Sequence, residues 1–208
     1  LIHKEHLREL LSKPLPGEVA QWQMAPVSRL RLESSDYHKL KKAAVLVPLL
    51  ERNTYLNLLL TLRSTYDGIH SAQVSFPGGK FEEGESEPFL VALREFEEEL
   101  GIKENQVEVI GSLSPLVIPV SSMLVYPVVG WISEPFDYKP DAREVQKVIE
   151  SPLYFFKKEL VKRTTSIITN LKKPIEIPYF EIDKEKVWGA TAMMISELMT
   201  IIESEMNY

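Results

Sequence analysis

A single α/β domain is the fold class that this sequence predicts, and three observations predict it. Apolar runs of strand length stand at residues 43–50, 55–62, 107–113 and 123–132. Between the second and third lies a stretch with helical periodicity, Phe89, Leu93, Phe96 and Leu100 sharing one face. A Met-rich segment near the end places Ile195, Leu198, Met199 and Ile202 at core spacing. At 208 residues the chain suits one domain, with enough apolar content to bury a real core.

Residues 2–11 form a short amphipathic helix with Leu7, Leu10 and Leu11 on its apolar side, broken by Pro14, Pro16 and Gly17. Residues 1–40 are this helix and a lead-in to the first strand. Strands 43–50 and 55–62 are joined by a turn at Arg52-Asn53. The central helix has Ser86 as its cap, Pro88 in its first turn and Gly101 as its C-terminal stop. The apolar loop 114–127, broken by Pro115 and Pro119, either packs on the core or receives an elongated uncharged group. Trp188, Gly189 and Ala190 lead into the last helix, a core element by its spacing.

The net charge of −6 argues against a general nucleic-acid binder, which needs a basic surface for counterion release. With no cysteine, the chain has no disulfides, thiolate metal sites or cysteine nucleophiles. No apolar run is long enough to span a bilayer, so no membrane partner is expected. The N-terminus shows no basic region followed by an apolar core, and the final Glu-Met-Asn-Tyr is no peroxisomal address. The expected location is cytoplasmic.

The central helix carries the chemistry. Taking Glu95 as zero, Glu98 and Glu99 fall within about 60° of it, beside the apolar stripe. Like charges three and four residues apart destabilise an isolated helix by a few tenths of a kcal/mol per pair. A hard divalent cation with oxygen ligands is the natural compensation, and a solvated acidic face is the plain alternative. Arg94, four residues before Glu98, can brace a carboxylate.

Spacing sharpens this. Gly79, Glu85, Arg94-Glu95, Glu98-Glu99 and Gly101-Ile102 resemble the Nudix box, G-x5-E-x7-R-E-U-x-E-E-x-G-U, agreeing at eight fixed positions across the 24 residues 79–102. One departure is the spacer of eight residues between Glu85 and Arg94; Phe96 in the first bulky position is a milder one. The resemblance implies a Nudix α/β/α sandwich with a mixed β-sheet over residues 1–208, and hydrolysis of a nucleoside diphosphate derivative with Mg²⁺ or Mn²⁺. It makes Glu95, Glu98 and Glu99 metal ligands, with the Gly78 backbone at the metal and Gly79 at the pyrophosphate. Arg94 matches the arginine that braces a box glutamate, and Glu85 a structural acid. Glu144, which precedes Val145, matches an additional glutamate that Nudix enzymes often place there, and is the candidate for an extra metal ligand or the general base, with Glu98 the competing base within the box.

Leu59, Leu60, Thr61, Arg63, Ser64, His70, Gln73, Val74, Phe76, Pro77, Gly78 and Gly79 resemble the extra signature of the coenzyme A pyrophosphatase branch. The longer spacer is a trait of that branch, and PLPGEVAQWQMAP and WGATA are similar to its entry and C-terminal segments. Arg63, Ser64, His70, Gln73, Phe76, Gly79 and Lys80 are the substrate-binding candidates, with His70 alternatively ordering the loop. Gly68 and Ala72 depart from the signature, which usually has Arg and Gly there. Arg29, Arg31, Lys39, Lys41, Lys42 and Lys80 are nearby bases that could replace the missing arginine.

The expected partner is CoA or an acyl-CoA, cut to 3′,5′-ADP and 4′-phosphopantetheine or its acyl derivative; a homodimer is compatible with this reading. The alternatives are a Nudix pyrophosphatase acting on ADP-ribose or a dinucleoside polyphosphate, and a non-catalytic Nudix-fold ligand sensor. A sensor need not keep the carboxylates that this chain retains.

Overall fold

The computed structural model describes residues 2–26, 34–52, 55–64, 73–134, 136–157, 163–168 and 174–204. At the centre is strand β1 (Lys41–Arg52), whose residues 43–50 are covered from both sides. Ala44, Leu46 and Leu50 pack in one cluster, while Val47 and Leu49 pack in another. Successive side chains of a strand point to opposite faces, so an uninterrupted apolar run is the mark of a sheet covered twice.

Strand β2 (Tyr55–Arg63) repeats the pattern, with Leu58, Leu60 and Leu62 on one side and Leu59 on the other. β1 runs antiparallel to β2 and to β4 (Gly78–Lys80), and β2 also pairs with the short β3 (Val74–Ser75). On its other edge β1 runs parallel to β7 (Met123–Ile132), which carries β5 (Val107–Ser112) and β6 (Leu116–Ile118). β8 (Val145–Pro152) joins β2 antiparallel. The sheet is therefore mixed. A second sheet orders β9 (Arg163–Ile168), β10 (Pro174–Ile182) and β11 (Glu185–Trp188) antiparallel.

Helix α1 (Lys4–Ser12), the short α2 (Glu18–Gln21) and α4 (Gly189–Glu203) cover one face of the main sheet; α3 (Pro88–Leu100) covers the other. This is the expected α/β/α sandwich. Leu7, Leu10 and Leu11 of α1 and Ile195, Leu198, Met199 and Ile202 of α4 are all buried. Within this layer Glu197 is fully buried; it accepts from the amides of Gly17 (3.0 Å) and Ser114 (3.2 Å) and from Gln21 Nε2 (2.9 Å). No helix among the described residues is long and apolar enough to cross a membrane.

Two local expectations are corrected. Glu87, not Ser86, holds the N-cap position of α3, because Pro88 starts the helix at its first position and makes the preceding residue the cap. Phe89, on the apolar face by angle, stands in the first turn and is 41% exposed, while Val91, Ala92, Phe96 and Leu100 are buried. The loop 114–127 follows the core-packing reading, with part of it ordered as β6 and Leu116 in the core. The second sheet has no counterpart among the strands that the sequence predicts.

Candidate active site

Chain pairing brings a glycine turn against the acidic face of α3. The Leu46 amide donates to Pro77 O (2.9 Å), and Ala44 and Val45 pair with Gly79 and Gly78. The Gly78 amide then donates to Glu99 Oε1 at 3.1 Å. At Gly79 the approach is closer still: a Cβ would lie 2.2 Å from Glu95 Oε1. Two carboxylates one helical turn apart thus rest against two consecutive glycines, which any side chain at position 79 would disturb.

Arg94 organises the acidic groups. Its Nε and Nη2 donate to the two oxygens of Glu85 (2.9 and 3.2 Å), its Nη1 to Glu95 Oε1 (2.9 Å) and Glu98 Oε2 (3.3 Å), and Nη2 also reaches Lys80 O (3.3 Å). A planar guanidinium presents its donors in such a fork; a lysine cannot. The pairing raises the Arg94 pKa further, chiefly through Glu85, and holds the Glu85 carboxyl below its usual range. Glu85 also accepts from the Glu82 amide at 2.6 Å, so the loop before the helix is closed on the same arginine.

Glu99 is only 3% exposed. Burial pushes its carboxyl up to about 7, against the Gly78 amide and the charge of Arg63, which lower it; the charges of Glu144 and Glu95 add to the rise. Burial likewise raises Glu95, with Arg94 opposing and Glu98 and Glu144 adding. Glu98 is the outermost, its side chain 60% exposed. A concentration of hard oxygen donors around a buried, under-compensated carboxylate fits a divalent cation. As they stand, no three His, Cys, Asp or Glu side chains among the described residues converge into a ready-made cluster. Arg94 draws Glu95 and Glu98 to itself while Glu99 turns to Gly78.

Glu144 enters from the turn before β8. The Lys139 amide donates to Leu100 O (2.7 Å) and the Asp141 amide to Glu99 O (2.9 Å), occupying carbonyls that the end of α3 leaves open. Gly101, at φ 71°, ends the helix in the left-handed conformation and lets this segment pass close by. Asp141 Oδ1 accepts from the Arg143 amide (2.9 Å), and Asp141 O accepts from the amides of Glu144 (3.0 Å) and Val145 (2.8 Å). Glu144 itself is exposed, and its charge raises both Glu95 and Glu99. Asp141 is not among the candidates that the sequence supplies; an Asp two residues before the amide it accepts from is a turn signal legible in Asp141-Ala142-Arg143.

The substrate candidates separate. Arg63 lies near enough to Glu99 for its charge to act there, and its buried Nε has no hydrogen-bond partner among the described residues. Ser64 is engaged with the Glu144 turn: its hydroxyl donates to Ala142 O (3.1 Å) and its amide to Glu144 O (2.8 Å). Gln73 O accepts from the Arg63 amide (3.0 Å). Phe76 corrects its assignment, because at 1% exposure it packs in the core and has no surface to offer a ligand. Lys80, Lys41 and Lys42 are exposed, and Lys39 pairs with Asp36 at 2.6 Å. Arg29, Arg31, Asn53, Gly68, His70 and Ala72 lie outside the described residues.

Residues 39–148 match the NUDIX domain family. The chain is 40% identical over 135 residues to the Peroxisomal coenzyme A diphosphatase NUDT7 of Mus musculus, covering 62% of this chain and 57% of that protein. It is 36% identical over 168 residues to the Uncharacterized Nudix hydrolase NudL of Escherichia coli (strain K12), covering 76% of this chain and 81% of the other. Among solved structures, a MutT/nudix family protein from Enterococcus faecalis superposes with a TM-score of 0.52 at 16% identity, covering 98% of this chain and 75% of its own, a likeness of fold. The chain spans 55% to 61% of the length of the mouse protein and of two Arabidopsis thaliana relatives, Nudix hydrolase 22, chloroplastic and Nudix hydrolase 15, mitochondrial.

Proposed function

The chain belongs to the Nudix family, and from that premise we propose that it hydrolyses the pyrophosphate bond of CoA or a CoA thioester, releasing 3′,5′-ADP and 4′-phosphopantetheine or its acyl derivative. The observation that carries the reaction type is the seating of Glu95 and Glu99 against Gly79 and Gly78 under Arg94. Support for CoA comes from the Leu59–Gly79 stretch and from the likeness to a mouse protein named a coenzyme A diphosphatase.

Glu95, Glu98 and Glu99 would hold Mg²⁺ or Mn²⁺. When bound, the cation supplies charge neutralisation at the pyrophosphate and acidifies the attacking water. Arg94 keeps Glu95 and Glu98 on one side of α3, within a short side-chain movement of a shared cation. Arg63, buried at Nε beside Glu99, supplies a positive group to a phosphate oxygen. Glu144 or Glu98 takes the proton of the water as its oxygen bonds to phosphorus and the bridging oxygen leaves with the other product. Glu144 has in its favour that its turn is fixed independently of Arg94.

The test is incubation with Mg²⁺ and CoA, acetyl-CoA, ADP-ribose or a dinucleoside polyphosphate, with products identified by mass. We expect 3′,5′-ADP and 4′-phosphopantetheine from CoA. Cleavage of ADP-ribose or dinucleoside polyphosphates alone would overturn the substrate while preserving the chemistry.

A further inference from the structure

We propose that Ser64 is a positioning residue for Glu144, holding the turn that aims this carboxylate at the acidic face of α3. The inference rests on the reading of Glu144 as a participant in the reaction. Its basis is a clamp across 78 residues of sequence: Ser64 Oγ donates to Ala142 O at 3.1 Å. The Ser64 amide donates to Glu144 O at 2.8 Å. From the other side, Asp141 binds the backbone of Glu99 and, through its own carbonyl, the amides of Glu144 and Val145. The turn is therefore suspended between the end of β2 and the end of α3.

The pairing of β2 with β8 slips in register between Leu62 and Arg63, at the point where the clamp begins. An irregularity there ends the regular ladder and re-aims the adjoining chain, as bulges beside functional sites do. Ser64 takes over where regular pairing stops. With its hydroxyl committed to Ala142 O, Ser64 acts on the chemistry through Glu144 and does not need to touch substrate. A backbone fixed at both ends keeps an exposed glutamate from sampling positions that a catalytic group must avoid.

The experiment is a double-mutant cycle in CoA hydrolysis with Mg²⁺, joined to amide hydrogen exchange. Ser64→Ala should lower kcat about fivefold, the equivalent of one ordinary hydrogen bond, with KM within about twofold. In a Glu144→Gln background the same change should add nothing, and Ser64→Thr, which keeps the hydroxyl, should restore the rate. Exchange at the Glu144 and Val145 amides should quicken in Ser64→Ala while α3 stays protected.

An equal loss of kcat in both backgrounds, or a rise in KM alone, would overturn the proposal, the second outcome placing Ser64 on the substrate. Unchanged exchange at Glu144 and Val145 would overturn it whatever the substrate proves to be. Wild-type kcat in Glu144→Gln would instead refute the role of Glu144, and the catalytic purpose of the clamp with it, even where exchange still reports the clamp.

Discussion

Between pH 4.5 and pH 7 the metal-free protein should lose stability on account of one residue, Glu99. Its folded pKa is raised, so over this range the folded state holds a proton that the unfolded state has given up. Stability from this group is therefore greatest below 4.5, falls as pH rises and levels off above about 7. Moving from 4.5 to about 7, at about 1.4 kcal/mol per pH unit, amounts to roughly 3 kcal/mol. In a chain of this size that corresponds to a fall in Tm of roughly 6–12 °C. Thermal unfolding in EDTA across this range, for wild type and Glu99→Gln, reads the effect of Glu99 and its coupling to Glu95 and Glu144, because titrating groups remote from Glu99 cancel in the difference. Saturating Mg²⁺ should remove most of the wild-type loss, since a cation compensates the ionised form. A pH profile that is the same in wild type and Glu99→Gln would refute the reasoning.

The two glycines should part company on substitution. Gly79→Ala meets the end of the Glu95 side chain at 2.2 Å, so we expect a folded protein, Tm lowered by only a few degrees, with turnover reduced about 100-fold as the carboxylate is displaced. Gly78→Ala meets the Ala44 carbonyl at 2.4 Å and Val45 Cα at 2.6 Å, which cannot step aside, and should cost several degrees more in thermal denaturation. Glu197→Ala removes the acceptor of the Gly17 and Ser114 amides and one of two acceptors of Gln21 Nε2, and should lower stability by about 2–4 kcal/mol in urea unfolding. An ordinary surface-mutation effect there would show that the N-terminal segment is held by other means.

Local spacing made part of this site legible. Arg94 meets Glu85, Glu95 and Glu98 because helical geometry and a short closed loop leave it little else to meet. The strand at residues 123–132 was readable to the residue, since a doubly covered strand is apolar throughout. What stayed hidden depends on distant partners. Ser64 belonged to a motif but acts on a turn 78 residues away, and no local pattern announces that. Phe76 sits in the same motif and turns inward; a residue beside a functional glycine turn can serve function or packing, and only the fold decides. β10 alternates apolar and polar residues around Pro174 and Pro178, and proline weakens any strand assignment.

The central claim is that the acidic face of α3 carries the chemistry. Its most direct test is steady-state hydrolysis of CoA by Glu98→Gln at saturating Mg²⁺, beside wild type. Glu98 is exposed and, among the described residues, bound only by Arg94, so the substitution should leave Tm unchanged. The account predicts a fall in kcat of about 100-fold or more, the scale on which enzymes lose a metal-holding or proton-accepting group. Wild-type turnover in Glu98→Gln would contradict it.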